Sequence, residues 1–101
     1  MLDRNNFNIY NYVAKEEYVG SMDGMRYMIK RKKATEEGAK DKAEVIIWPE
    51  PYAYAYTDES LKIREIFDFT EEAMMDICDY LNEQYTAQLS LWELSKSKKT
   101  L

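Results

Sequence analysis

Between residues 25 and 31 the chain alternates, with Met25, Tyr27 and Ile29 on one side and Arg26, Met28 and Lys30 on the other. A period of two is the mark of a strand with one buried face. Residues 44–48 are rich in β-branched side chains (Val45, Ile46, Ile47) and end in Trp48, which predicts a second strand. Between the two, residues 32–42 are polar and charged and include Gly38, so a solvated loop is expected there. Together these features predict a hairpin with a long basic tip. Gly20 and Gly24 bracket Ser21, Met22 and Asp23, which reads as a turn into the first of these strands.

Pro49 and Pro51 each lack a backbone donor, so the second strand should stop before them. Glu50, preceding a proline, is pushed toward an extended conformation. Tyr52, Tyr54 and Tyr56 alternate with Ala53 and Ala55, and an extended segment would set all three rings on one side. Further on, Thr57 or Asp58 can cap one or two helical turns, followed by a short strand over residues 66–69. Phe7, Ile9 and Tyr12 suggest another strand near the start of the chain.

The clearest helix lies in the C-terminal third. Thr70 is a good N-cap, and Glu71 and Glu72 put negative charge in the first turn, where the helix dipole favours it. Met74, Ile77, Cys78, Leu81 and Tyr85 follow the three-and-four spacing of a buried stripe, with Asp76, Asp79 and Glu83 turned away from it. Leu89 and Trp92 extend the stripe, so the helix either runs to about Leu94 or breaks near Asn82 and restarts. Lys96, Lys98 and Lys99 form a polar tail. The fold class that follows is α+β, a small antiparallel sheet with the C-terminal amphipathic helix packed on one face. The 101 residues suit a single domain.

Composition narrows the chemistry. With 46% hydrophobic residues the chain can build a core, and its one cysteine, Cys78, rules out an internal disulfide. A small secreted domain usually carries several cysteines, the first residues lack the basic-then-apolar run of a signal peptide, and no apolar stretch is of membrane-spanning length. A cytoplasmic protein with no membrane association is expected. There is no histidine, which removes imidazole acid–base chemistry, His-assisted nucleophiles and the commonest zinc ligand. Cys78 sits on the apolar stripe and reads as a core residue rather than a reactive thiol. Gly20 and Gly24 are not followed by the Lys-Ser/Thr and helix of a phosphate-binding loop. No Asp-x-Asp-x-Asp-Gly calcium loop occurs, and the carboxylates of residues 71–83 are those of any solvated helix face. The expectation is a protein without enzymatic activity and without a cofactor or metal.

Charge is distributed unevenly beneath a net value of −5. Residues 26–42 hold seven basic and three acidic side chains; residues 44–83 hold eleven acidic ones and two basic ones, Lys62 and Arg64. Such asymmetry steers association, although it also serves solubility. The leading expectation is a small binding or regulatory protein that acts through contact with another protein. Asp76, Asp79 and Glu83 would present carboxylates to a basic partner, and Trp48, Tyr52, Tyr54 and Tyr56 would supply aromatic contact area, either to that partner or in a homodimer. The alternative is a nucleic-acid module in which Lys30, Arg31, Lys32 and Lys33 contact phosphates while tyrosines stack on bases. A sequence pI near 4.8 and the lack of a nucleic-acid motif weigh against it, and a basic tip also keeps a strand edge from pairing. A small acyl- or nucleotide-handling enzyme is the third reading.

The runs Gly24-Met-Arg-Tyr-Met, Trp48-Pro-Glu-Pro-Tyr, Phe67-Asp-Phe-Thr-Glu-Glu and Tyr80-Leu-Asn-Glu-Gln-Tyr resemble a family of short bacterial proteins of unknown function, over about residues 24–85. The resemblance implies no activity and no site residues. Members of such groups are sometimes labelled acetyltransferase-like, but the glycine-rich pyrophosphate-binding motif of the acetyltransferases is absent from this chain.

Overall fold

Strands β1 (Tyr18–Met22), β2 (Met25–Lys32), β3 (Lys42–Pro49) and β4 (Ile63–Asp68) form one antiparallel sheet in the order β1-β2-β3-β4. The computed structural model describes residues 2–3, 7–50 and 54–99. The expected hairpin is present: β2 and β3 pair from Met25↔Pro49 to Lys32↔Lys42, and residues 33–41 make its tip. Pairing reaches one residue further than the prolines suggested. Glu50 N–H donates to Gly24 O (3.0 Å), and by ladder alternation the missing donor of Pro49 then points toward the β4 side. There β4 pairs only as far as Ile47↔Ile63, so no bond is lost.

The segment read as a turn over residues 20–24 is mostly strand. Gly20, Ser21 and Met22 belong to β1, and the turn itself is only Asp23-Gly24, joining the pair Met22↔Met25. Both residues have positive φ (43° and 102°), as a two-residue hairpin turn of matching twist requires, and Asp-Gly is a preferred pair for it.

The expected strand around Phe7, Ile9 and Tyr12 is instead the short helix α1 (Tyr10–Lys15). Ile9 and Val13 are both buried and lie four residues apart, a helical spacing, with Val13 N–H bonded to Ile9 O at 2.9 Å. Tyr12 is consequently turned outward, 49% exposed. Residues 59–61 form the expected helical turn as a single 3-10 turn, whose cap is Asp58 accepting from Ser60 N–H at 2.9 Å. The strand that follows starts at Ile63, three residues earlier than expected.

Helix α2 (Glu71–Ala87) begins at Thr70, whose Oγ1 accepts from Ala73 N–H at 3.0 Å. Ala73, Met74, Ile77, Cys78 and Leu81 are buried, so the stripe faces the sheet as the spacing predicted. Each of the larger aliphatic side chains contributes roughly 1.5–3 kcal/mol by leaving water. The helix breaks at Gln88 rather than near Asn82, and α3 (Leu89–Lys99) restarts at once. That change of direction brings Trp92 into the core at 0% exposure, its Nε1 toward Gln84 O (3.4 Å), and leaves Leu89 outside at 45%. Trp92 therefore continues the apolar stripe and Leu89 does not.

Asn82 has another role. Its Oδ1 accepts from Leu2 N–H (2.9 Å) and its Nδ2 donates to Leu2 O (2.8 Å), so one side-chain amide pairs with the chain's second residue as a neighbouring strand would.

Among the described residues, three helices and the segment around Phe7 and Ile9 cover the same side of the sheet. They meet Met25, Tyr27, Ile29, Ala43, Val45 and Ile47 in one core. On the other side Met28, Ile46 and Trp48 make a small separate cluster. The molecule is an α+β protein.

Candidate functional site

Strand β4 forms one edge of the sheet, and its outer side has no strand partner among the described residues. Alternation sends Glu65 and Phe67 to the helical side, alongside their pairing partners Val45 and Ala43, and sends Arg64, Ile66 and Asp68 to the far side. Helix α2 runs past this edge. Its spacing of 100° per residue sets Glu72, Asp76, Asp79, Tyr80 and Glu83 on the flank toward β4.

The result is an open groove between strand and helix. One part is lined by Glu65, Ile66, Phe67, Asp76, Asp79, Tyr80 and Glu83. A second part shares Ile66, Phe67 and Asp76 and continues to Lys42, Asp68, Thr70 and Glu72. The apolar surface is Phe67 against Tyr80 (5.4 Å between centroids, 64° between planes), with Ile66, 45% exposed, at the rim and its side chain on the far side of the sheet. Carboxylates line both walls. Tyr80 reports their field: its phenol is held above the ordinary value by burial first, then by Glu65 and Glu83. Lys42, a cation in the groove lining, is bound to Asp68 at 2.6 Å, which holds the Asp68 carboxyl below its usual range. Among the described residues no three acidic or cysteine side chains converge closely enough to hold a metal ion. The carboxylates are strung along the groove rather than gathered at a point.

The helix residues singled out for partner contact, Asp76, Asp79 and Glu83, are therefore brought together, and Glu65 joins them from the strand. Glu65 was not singled out from sequence because its role depends on β4 lying at the sheet edge beside α2.

Of the aromatic residues expected to act with them, neither Trp48 nor Tyr56 lines this groove. Trp48 is 1% exposed and belongs to the cluster with Met28 and Ile46, so it is unavailable as surface contact area. Tyr52 lies outside the described residues. Within the described residues, Tyr54–Tyr56 make a 3-10 turn in place of the expected extended segment, and Tyr56 is left 82% exposed. Cys78 is fully buried beside Asn82.

The four basic residues of the hairpin are divided. Lys30 approaches Glu44 at 3.5 Å on the far side of the sheet, where Arg64 also reaches Glu44 at 3.6 Å. Arg31 points the other way. It binds Asp41 at 2.6 Å, reaches Ala14 O at 3.4 Å and lies 4.8 Å over the Phe69 ring, which in turn stacks on Tyr10. Asp41 also accepts from Ala34 N–H, the main reason its carboxyl is held below the ordinary range. Lys32 and Lys33 are exposed. Consecutive strand residues face opposite sides, so the cluster seen in the sequence is not one patch in space.

A separate cavity of about 190 Å³ lies between α1 and the start of α2, lined by Phe7, Asn8, Tyr10, Asn11, Glu71 and Met74. It is largely neutral. No helix among the described residues is long and apolar enough to cross a membrane. The site and fold define a mixed α+β protein with an acidic groove at one sheet edge. Comparison with protein-family models, curated proteins and solved structures finds no match to this chain.

Proposed function

We propose that this is a non-enzymatic binding protein whose contact surface for a partner protein is the groove between β4 and α2. The observation that carries the reading is the convergence of Asp76, Asp79 and Glu83 with Glu65 around partly buried Phe67 and Tyr80, with exposed Ile66 at the rim of the groove. Apolar area rimmed by charge of one sign favours a complementary surface and speeds its encounter. The partner is accordingly a basic protein. Nucleic acid is the less favoured partner, because Lys30 and Arg31 already have carboxylate neighbours in Glu44 and Asp41 and lie on opposite sides of the sheet.

Affinity capture from the native host, with and without nuclease, tests this. A protein partner should survive nuclease and be lost when Asp76, Asp79 and Glu83 are changed to lysine. Recovery of nucleic acid alone, lost when Lys32 and Lys33 are neutralised, would reverse the order of the two readings.

A further inference from the structure

Resting on the docking reading above, we infer that the partner enters the groove as an extended basic segment and adds to the sheet as a strand beside β4. The main chain of β4 supplies the first argument. Val45↔Glu65 and Ala43↔Phe67 are the pairs that β3 and β4 use for hydrogen bonding, as follows from the Glu50 N–H to Gly24 O bond and the alternation of the ladder. Arg64, Ile66 and Asp68 then direct their N–H and C=O groups outward. At Ile66 the outward direction is visible: its N–H meets no strand and turns to its own neighbour, Glu65 Oε1, at 3.3 Å. That contact is long and easily exchanged for a straight main-chain bond.

Charge and spacing supply the second argument. A strand added beside β4 would send alternate side chains to the helical side, into the wall formed by Glu65, Asp76, Asp79 and Glu83. Side chains at i and i+2 are about 6.8 Å apart along a strand, while Asp76 and Glu83 are separated by about 10.5 Å of helix rise. Lysines or arginines at alternate positions would thus meet carboxylates along the groove, their aliphatic stems lying on Phe67 and Tyr80. The intervening side chains would face Ile66 on the far side, where apolar ones cover its exposed surface. Charge on an edge strand ordinarily prevents pairing. Here the carboxylates of Glu65, Asp76, Asp79 and Glu83 repel an acidic strand, would be left unpaired and partly desolvated by a neutral one, and are matched only by a basic one, which gives selectivity by exclusion.

The test uses the full-length protein and a synthetic peptide of alternating lysine and valine, against the same peptide N-methylated on alternate main-chain amides. Amide hydrogen exchange followed by NMR should slow about tenfold at Ile66 and Asp68 when the unmodified peptide binds. N-methylation keeps the charge and removes the donors, and should weaken binding about tenfold or more. Asp76→Lys combined with Glu83→Lys should abolish binding, with circular dichroism confirming the fold. Equal binding of both peptides, or binding without protection of β4, would overturn strand addition and leave the docking surface standing. No binding of either peptide would overturn the basic-strand partner, whereas the docking reading fails separately if the host capture yields no protein dependent on Asp76, Asp79 and Glu83.

Discussion

Gly20 lies directly across the β1–β2 ladder from Tyr27, whose ring covers the place where a side chain at Gly20 would stand. A Cβ at Gly20 would come within 2.5 Å of Tyr27 Oη and 2.6 Å of its Cζ. Tyr27 is 2% exposed, so its ring has little freedom to withdraw. Glycine to alanine in a strand ordinarily stabilises through the unfolded state. At this position the sign should reverse, with Gly20→Ala costing about 1–3 kcal/mol in urea denaturation.

Tyr27 also makes stability depend on alkaline pH. Burial, followed by the influence of Tyr18, pushes its phenol up from 10.0 to about 12. Between those values the folded protein retains a proton that the unfolded chain has lost, so the slope of stability against pH is negative. Stability should fall as pH rises from 10.0 to about 12, and Tyr27→Phe should flatten part of that decline. Denaturation midpoints measured across the window check this.

Asn82→Ala should release the beginning of the chain. Two hydrogen bonds to Leu2 are lost, at about 0.5–1.5 kcal/mol each. Faster amide exchange at Leu2, with α2 still helical by circular dichroism, is the expected signature.

Thr70→Ala removes the cap that accepts from Ala73 N–H and should cost about 0.5–2 kcal/mol in thermal or urea unfolding. Thr70→Asp should preserve most of that stability, because an aspartate oxygen can take the same bond.

The groove carboxylates should behave oppositely. Asp76, Asp79 and Glu83 follow one another at three- and four-residue spacing, where like charges repel by about 0.2–0.5 kcal/mol per pair. Glu83→Gln should therefore leave stability unchanged or raise it by a few tenths of a kcal/mol. The gain should shrink as salt is added. A clear loss of stability would show that Glu83 serves the fold rather than a partner.

Local pattern made the hairpin of β2 and β3 and the buried face of α2 legible in the sequence, since alternation at Met25, Tyr27 and Ile29 and the Met74–Ile77–Cys78–Leu81 stripe each have a single reading. What escaped was decided by geometry at a distance or by a competing spacing. The Asp23-Gly24 pair is a recognised hairpin signal, but two nearby glycines suggested a wider turn, and β1 was hidden by it. Ile9 and Val13 support a helix, whereas Phe7 and Ile9 alone suggest a strand. The alternation of Tyr52, Tyr54 and Tyr56 predicts an extended segment, yet residues 54–56 coil into a 3-10 turn. The acidic half of the candidate groove could be read from α2, while Glu65 needed the sheet order. Trp48 groups in the sequence with the nearby tyrosines because tryptophan is enriched at interfaces; its burial with Met28 and Ile46 follows from β2 and β3 being paired in the register observed.

The order β1-β2-β3-β4 means that every strand neighbours the one before it in the chain. Folding can then proceed by closing successive hairpins, each requiring only a modest loop, and the two-residue Asp23-Gly24 turn offers the shortest closure and a natural starting point. The bond between Leu2 and Asn82 spans nearly the whole chain and can form only after the sheet and α2 are in place. It should be absent from the transition state, so weakening it would leave the folding rate almost unchanged and appear as faster unfolding. The protein's resistance to opening is thus set in part by a clasp fastened last.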